Sequence, residues 1–211
     1  LYAPVLFGGK ALYFRDVYHN YYTQLHFMKQ SLWRGELPFW NPWLFAGTPQ
    51  MALLEPPLFY PPGWIFFTAL PFQFALVGNL LIHQLLAGLG FYYLGQHYQW
   101  SWRSSWLSAL FFSFSGLMAS LHSFHPLQNT LAWLPLIWWA FAVCLHSPSR
   151  RAVVTFALFY ALQILSGHLE IVYFETGLLL LYGIGFAFFP VDAEQPVSGR
   201  SRLRSLLNVG L

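Results

Sequence analysis

The sequence predicts an all-α fold: a polytopic transmembrane helix bundle with an outer loop carrying interfacial helices. Three observations predict it. Only 8% of the 211 residues are charged and 57% are hydrophobic, whereas an ordinary soluble domain is about 25% charged; so few charges do not cover a water-facing surface. Aromatics reach 21%, with 22 Phe, 12 Tyr and 10 Trp, and these residues favour the hydrocarbon and its boundary with water. Five apolar runs approach the roughly 20 residues that a spanning helix needs. They are apolar all round, which excludes the alternation over about ten residues of an outer-membrane barrel. A net charge of +3 with no dense basic stripe excludes a nucleic-acid binder.

The elements follow in order. Residues 1–71 are expected to form the first outer segment. Within it Tyr18, Tyr21, Tyr22, Leu25, Met28 and Leu32 fall at helical spacing, with His19, Thr23, His26, Lys29 and Gln30 on the other faces. That pattern predicts an amphipathic helix lying in the interface plane, ended by Gly35. "LPFWNPWLFAGTPQ" is loop chemistry, rich in Pro, Gly and Trp. The apolar stretch Trp64 to Leu70 is too short to span and reads as an interfacial or re-entrant piece.

Spans are expected over 72–95, 104–121, 126–145, 152–167 and 170–189, the fourth being short. Residues 190–211 read as a cytoplasmic linker and the start of a further helix, so the chain is expected to be a piece of a longer membrane protein. Cys144, the single cysteine, lies in an apolar run and reads as a small buried side chain.

Loop charge predicts orientation. Arg103, the pair Arg150 and Arg151, and the trio Arg200, Arg202 and Arg204 sit in alternate connections. The connections near 122–125 and 167–169 hold no Lys or Arg. The positive-inside rule puts the Arg loops in the cytoplasm and residues 1–71 outside.

On that topology Asp16, His122, His125, His168 and Glu170 reach one face and are candidates for a shared site. Other roles fit each of them. Asp16 suits the N-cap of the helix beginning near Tyr18, and Arg15 suits a lipid phosphate. His122 and His125 suit the interface, with polar tips in water. Glu170 suits a helix N-terminus. Glu175 lies about 7.5 Å deeper than Glu170 at 1.5 Å per residue and is expected to face the bundle, paired or protonated. Asn79 and His83 share one helix face and are expected to hydrogen-bond between helices. "HSFH" lacks the further ligands that a zinc site needs, and neither a Walker loop nor G-x-S-x-G is present.

The stretch "FRDVYHNYYTQLHFMKQSLWRGELPFWNPWLFAGTPQMALLEPPLFYPP" resembles the first outer loop of YfhO-like bacterial membrane proteins of the GT-C glycosyltransferase superfamily. The resemblance rests on an Asp followed by aromatics, then "RGELPFWNP", "AGTPQ" and "FYPP" in that order, and covers about 50 residues. The "SGHLE" turn extends it more loosely, with Leu169 where the family more often has Pro.

The resemblance implies a multi-pass protein of the bacterial inner membrane that takes a sugar from a polyprenyl-phosphate donor. It also implies an early acidic residue in the outer loop that serves the transfer, and Asp16 alone matches it. A lipid-phosphate leaving group needs no acid, so the chemistry calls for a base at the acceptor hydroxyl and positive charge at the departing phosphate. Asp16 is the expected base; Arg15, His122, His125, His168 and Glu170 are the expected substrate-binding residues. The lipid-linked sugar and membrane lipid are the expected partners. Metal need, sugar and acceptor are left open. The competing class is a transporter or lipid flippase without transfer chemistry, and a third is a membrane scaffold.

Overall fold

The computed structural model describes residues 3–8, 10, 16–53 and 58–189. The expected linker over 190–211, with Arg200, Arg202 and Arg204, lies outside the described residues.

After a single turn, α1 (Ala3–Leu6), the chain winds as a π-helical turn over Val17–Tyr22 and continues as α2 (Thr23–Trp33). Val17, Tyr21, Leu25 and Met28 recur at helical spacing and are buried with Leu58, Phe67, Leu76 and Leu80. The helix therefore packs on the bundle through one face. Gly35 closes it as expected, at φ +76°. Its N–H donates to the Leu32 carbonyl (3.0 Å) and that of Glu36 to Ser31 (2.9 Å), a Schellman ending in which glycine takes the left-handed position.

The loop that follows contains a two-residue antiparallel pairing, β1 (Trp40–Asn41) with β2 (Thr48–Pro49). Its turn, Leu44 to Gly47, closes through a 2.9 Å Gly47 N–H to Leu44 carbonyl bond, with Phe45 and Ala46 both at positive φ. A Cβ on Gly47 would stand 2.7 Å from the Trp40 ring. The short apolar stretch near Trp64 is α3 (Pro61–Ala69).

The bundle proper comprises α4 (Phe72–His97), α5 (Trp102–Ser113), α6 (Gly116–Ser120), α7 (His125–His146), α8 (Arg150–Leu165) and α9 (Leu169–Phe188). Among the described residues four stretches are long and apolar enough to cross a membrane: Phe72–His97, Trp102–Ser123, His125–His146 and Leu169–Phe188.

Two expectations are adjusted. The second span is not one continuous helix. It breaks at Phe114, and Ser115 starts α6 by accepting the Met118 N–H at 3.2 Å. The expected fourth span, α8, has 16 residues, about 24 Å at 1.5 Å per residue, against a hydrocarbon core of about 30 Å. It therefore falls short of the spanning criterion.

Helices α4 and α7 run parallel at the centre. Asn79 meets Asn129, Leu80 meets Gln128 and His97 meets His146. A Cβ on Gly90 would stand 2.6 Å from the Leu136 backbone nitrogen, so the two backbones nearly touch there. Helix α5 returns along α4, with Ser113 beside Gln84 and Ser105 beside Gly95. Helix α8 returns along α7, with Ser166 at Thr130. The outward faces keep large apolar side chains in the open, such as Phe111, Phe174 and Leu181, each more than 65% exposed. Such a surface suits lipid rather than water.

Candidate functional site

One end of the bundle gathers the starts of α4, α7 and α9 and the end of α8, and the outer segment caps it. The Lys29 ammonium donates to the Leu70 carbonyl at 3.0 Å. The Tyr22 ring meets Phe72 edge-on at 4.7 Å, and Tyr21 meets His125 edge-on at 4.4 Å. Arg103, Arg150 and Arg151, all exposed, begin α5 and α8 at the opposite end.

Asp16 immediately precedes the π-helical turn. Its own backbone is helical (φ −69°, ψ −21°) and its side chain makes no capping bond. The capping role open to it in the sequence is thus not the one it plays here. The carboxylate is half-buried at the start of the helix whose Tyr21 closes on His125. Arg15 lies outside the described residues.

The other expected residues divide. His125 is fully buried, between Tyr21 and Phe67, not an interfacial side chain with its tip in water. Neither of its ring nitrogens has a hydrogen-bond partner among the described residues. His122 is half-buried in the 3₁₀ turn Leu121–Ser123. His168 is half-buried at the entrance to α9, and Glu170 is exposed in the first turn of that helix.

Beneath this cap runs a polar seam. His83 Nδ1 lies 2.6 Å from the Asn79 carbonyl, which only accepts, so Nδ1 carries the hydrogen. Nε2 then accepts from the Tyr60 hydroxyl at 2.6 Å. The Tyr60 oxygen in turn accepts the Trp133 indole N–H at 2.7 Å. Each group takes one role, and the tautomer follows from the carbonyl. Burial pushes the Tyr60 hydroxyl well above the ordinary phenol value, against the opposing pull of the Trp133 N–H. Asn79 Nδ2 donates to Asn129 Oδ1 at 3.0 Å, the interhelical bond expected of it.

A second limb joins α7, α8 and α9. The Thr130 and Ser166 hydroxyls are 2.6 Å apart, and Gln163 Nε2 reaches the Thr130 carbonyl at 3.2 Å. Gln163 also donates to Glu175, which is 2% exposed and faces the bundle as expected. The oxygens Asn79 Oδ1, Gln128 Oε1, Gln163 Oε1 and Glu175 Oε1 are buried without a partner among the described residues. Sequence reasoning missed Trp133, Asn129, Thr130 and Gln163. The amides and Thr130 interrupt apolar helices, which is the signal that marks them; the Trp133 indole carries no such mark.

Among the described residues no group of three or more His, Cys, Asp or Glu side chains is placed to hold a metal ion. No family model, no curated protein and no solved structure matches the chain.

Proposed function

We propose that this chain belongs to a membrane glycosyltransferase that moves a sugar from a polyprenyl-phosphate donor to an extracytoplasmic acceptor, with Asp16 as the base. The observation that carries the reading is the placement of Asp16. Asp16 makes no side-chain capping bond, is half-buried, and immediately precedes a π-helical turn at the capped end of an apolar bundle. Turns of that kind are often found at functional sites. The Arg103, Arg150 and Arg151 end faces the cytoplasm by the positive-inside rule, and the cap therefore faces outward.

In the proposed reaction Asp16 takes the proton from the acceptor hydroxyl. The acceptor oxygen forms its bond to the anomeric carbon as the bond to the lipid phosphate breaks, and the phosphate leaves with its electron pair. The single displacement inverts the anomeric centre.

The test supplies a radiolabelled polyprenyl-phosphate sugar to the full protein in vesicles. Label leaves the lipid for an acceptor in the parent protein, and the Asp16→Asn variant loses that transfer while staying inserted. Full transfer in Asp16→Asn rejects the base role. A second reading, transport of a lipid-linked sugar, is favoured by the buried polar seam and its partnerless oxygens. The same assay separates the two, because transport moves the intact lipid across the bilayer and leaves the glycosidic bond whole.

A further inference from the structure

Among the described residues, two cavities flank α2 on the capped end, and their chemistry differs. One, of about 280 Å³, is walled by Leu25, Phe67, Leu70 and Phe72 and carries Lys29. The other, of about 260 Å³, lies between α2 and the β1–β2 hairpin and is lined by Tyr22, Gln24, His26, Gln30, Asn41 and Trp43 among others. It has amides, hydroxyls, an imidazole and aromatic faces but, among the described residues, no carboxylate, Lys or Arg. Among those residues a charged ligand finds no counter-charge of fixed sign. Pockets for drug-sized ligands start at about 300 Å³, so the space suits one small ring.

The walls are held rigid. Gln24 bonds to Asn20 and accepts from Gln50, and Gln50 accepts from Asn41 Nδ2 at 2.9 Å. Asn41 Oδ1 accepts the Trp43 backbone N–H at 3.0 Å. Gln24, Asn41 and Gln50 are each under 5% exposed. This relay fixes the hairpin to α2 and spends its own hydrogen bonds doing so. What it presents is different in kind. Trp43 is 86% exposed, and Gln30 and His26 are exposed and 2.9 Å apart. The turn beyond Trp43 places Phe45 and Ala46 at positive φ, where side-chain-bearing residues are uncommon. A strained, buttressed turn that holds an indole in the open beside polar side chains marks a binding feature rather than a packing one.

We propose that this cleft is a saccharide subsite that takes one uncharged pyranose ring. The Trp43 face covers the C–H side of the ring, and the Gln30 amide and His26 imidazole exchange their mutual bond for ring hydroxyls. This rests on the glycosyltransferase reading and adds to it the side chains that receive a sugar. The sugar has two sources, the donor's transferred residue and the acceptor glycan.

The experiment uses the full chain in lipid nanodiscs and saturation-transfer NMR with methyl glucoside, methyl galactoside and methyl N-acetylglucosaminide, with glucose 1-phosphate as the charged control. At least one methyl glycoside receives saturation from the protein, and glucose 1-phosphate receives less. Trp43→Ala weakens the effect by about tenfold and Trp43→Phe restores most of it. Gln30→Ala, at an exposed position, weakens it without altering thermal unfolding. A short-chain prenyl-phosphate sugar then separates the sources: displacement of the glycoside assigns the cleft to the donor's sugar, and undisturbed binding assigns it to the acceptor. Absence of transfer from every glycoside, or an unchanged signal in Trp43→Ala, overturns the proposal. Glycoside binding is measured without turnover, so Asp16→Asn retains it; loss of binding counts against the cleft alone, and retained transfer in Asp16→Asn counts against the base alone.

Discussion

Tyr60 stands just before α3, yet its hydroxyl is the hinge of the buried seam, accepting from Trp133 and donating to His83. Replacing it by Phe removes both bonds and leaves the Trp133 N–H and His83 Nε2 buried without partners. Each such group costs about 1–3 kcal/mol, so Tyr60→Phe lowers the thermal unfolding temperature of the detergent-solubilised protein clearly; an unchanged transition contradicts the assigned relay. At this scale the sequence revealed which polar groups turn inward but not what they meet. Asn79 and His83 stand four residues apart on one helix face, and Glu175 lies too deep in its helix for water. Their partners Asn129, Tyr60 and Gln163 come from other elements. Pairing across elements depends on how helices rotate and slide against one another, which no local spacing specifies. His125 shows the limit from the other side: a histidine beside a turn reads as wet until Tyr21, more than a hundred residues earlier in the chain, is seen to close over it.

Between elements, the contact of α4 with α7 depends on small residues. A Cβ on Gly90 meets the Leu136 backbone nitrogen at 2.6 Å, and main chain cannot step aside as a side chain can. Gly90→Ala should therefore cost about 1–3 kcal/mol through overpacking. Gly177, in α9, has no atom of another element within 4 Å of such a Cβ among the described residues, and Gly177→Ala should gain up to about 1 kcal/mol from helix propensity. Thermal unfolding of the two variants side by side checks the contrast, and equal behaviour would refute the close approach. Helices were the most legible elements, because length and apolarity alone announce them. Two interruptions were not. The break at Phe114 is made by Ser115 capping its own restart, and an apolar helix tolerates a serine without any visible sign. The hairpin is two residues on each side and turns through Phe45 and Ala46, where Asn-Gly is the usual signal.

At the scale of the whole molecule, the polar and cationic groups divide between the two ends of the bundle. Contacts from the π-helical turn to α4 and α7, and from α7 to α8, gather Asp16, His125, His168 and Glu170 toward the capped end, away from Arg103, Arg150 and Arg151. That separation requires α8 to carry the chain from one end to the other although it has only 16 residues. Cysteine accessibility tests this directly. In a Cys144→Ala background, Arg151→Cys places a thiol in the first turn of α8 and Glu170→Cys places one in the first turn of α9, just past the other end of α8, both on exposed positions. A membrane-impermeant maleimide added outside intact cells should label Glu170→Cys at once, and Arg151→Cys only after the membrane is permeabilised. Labelling of both from the same side would contradict the account.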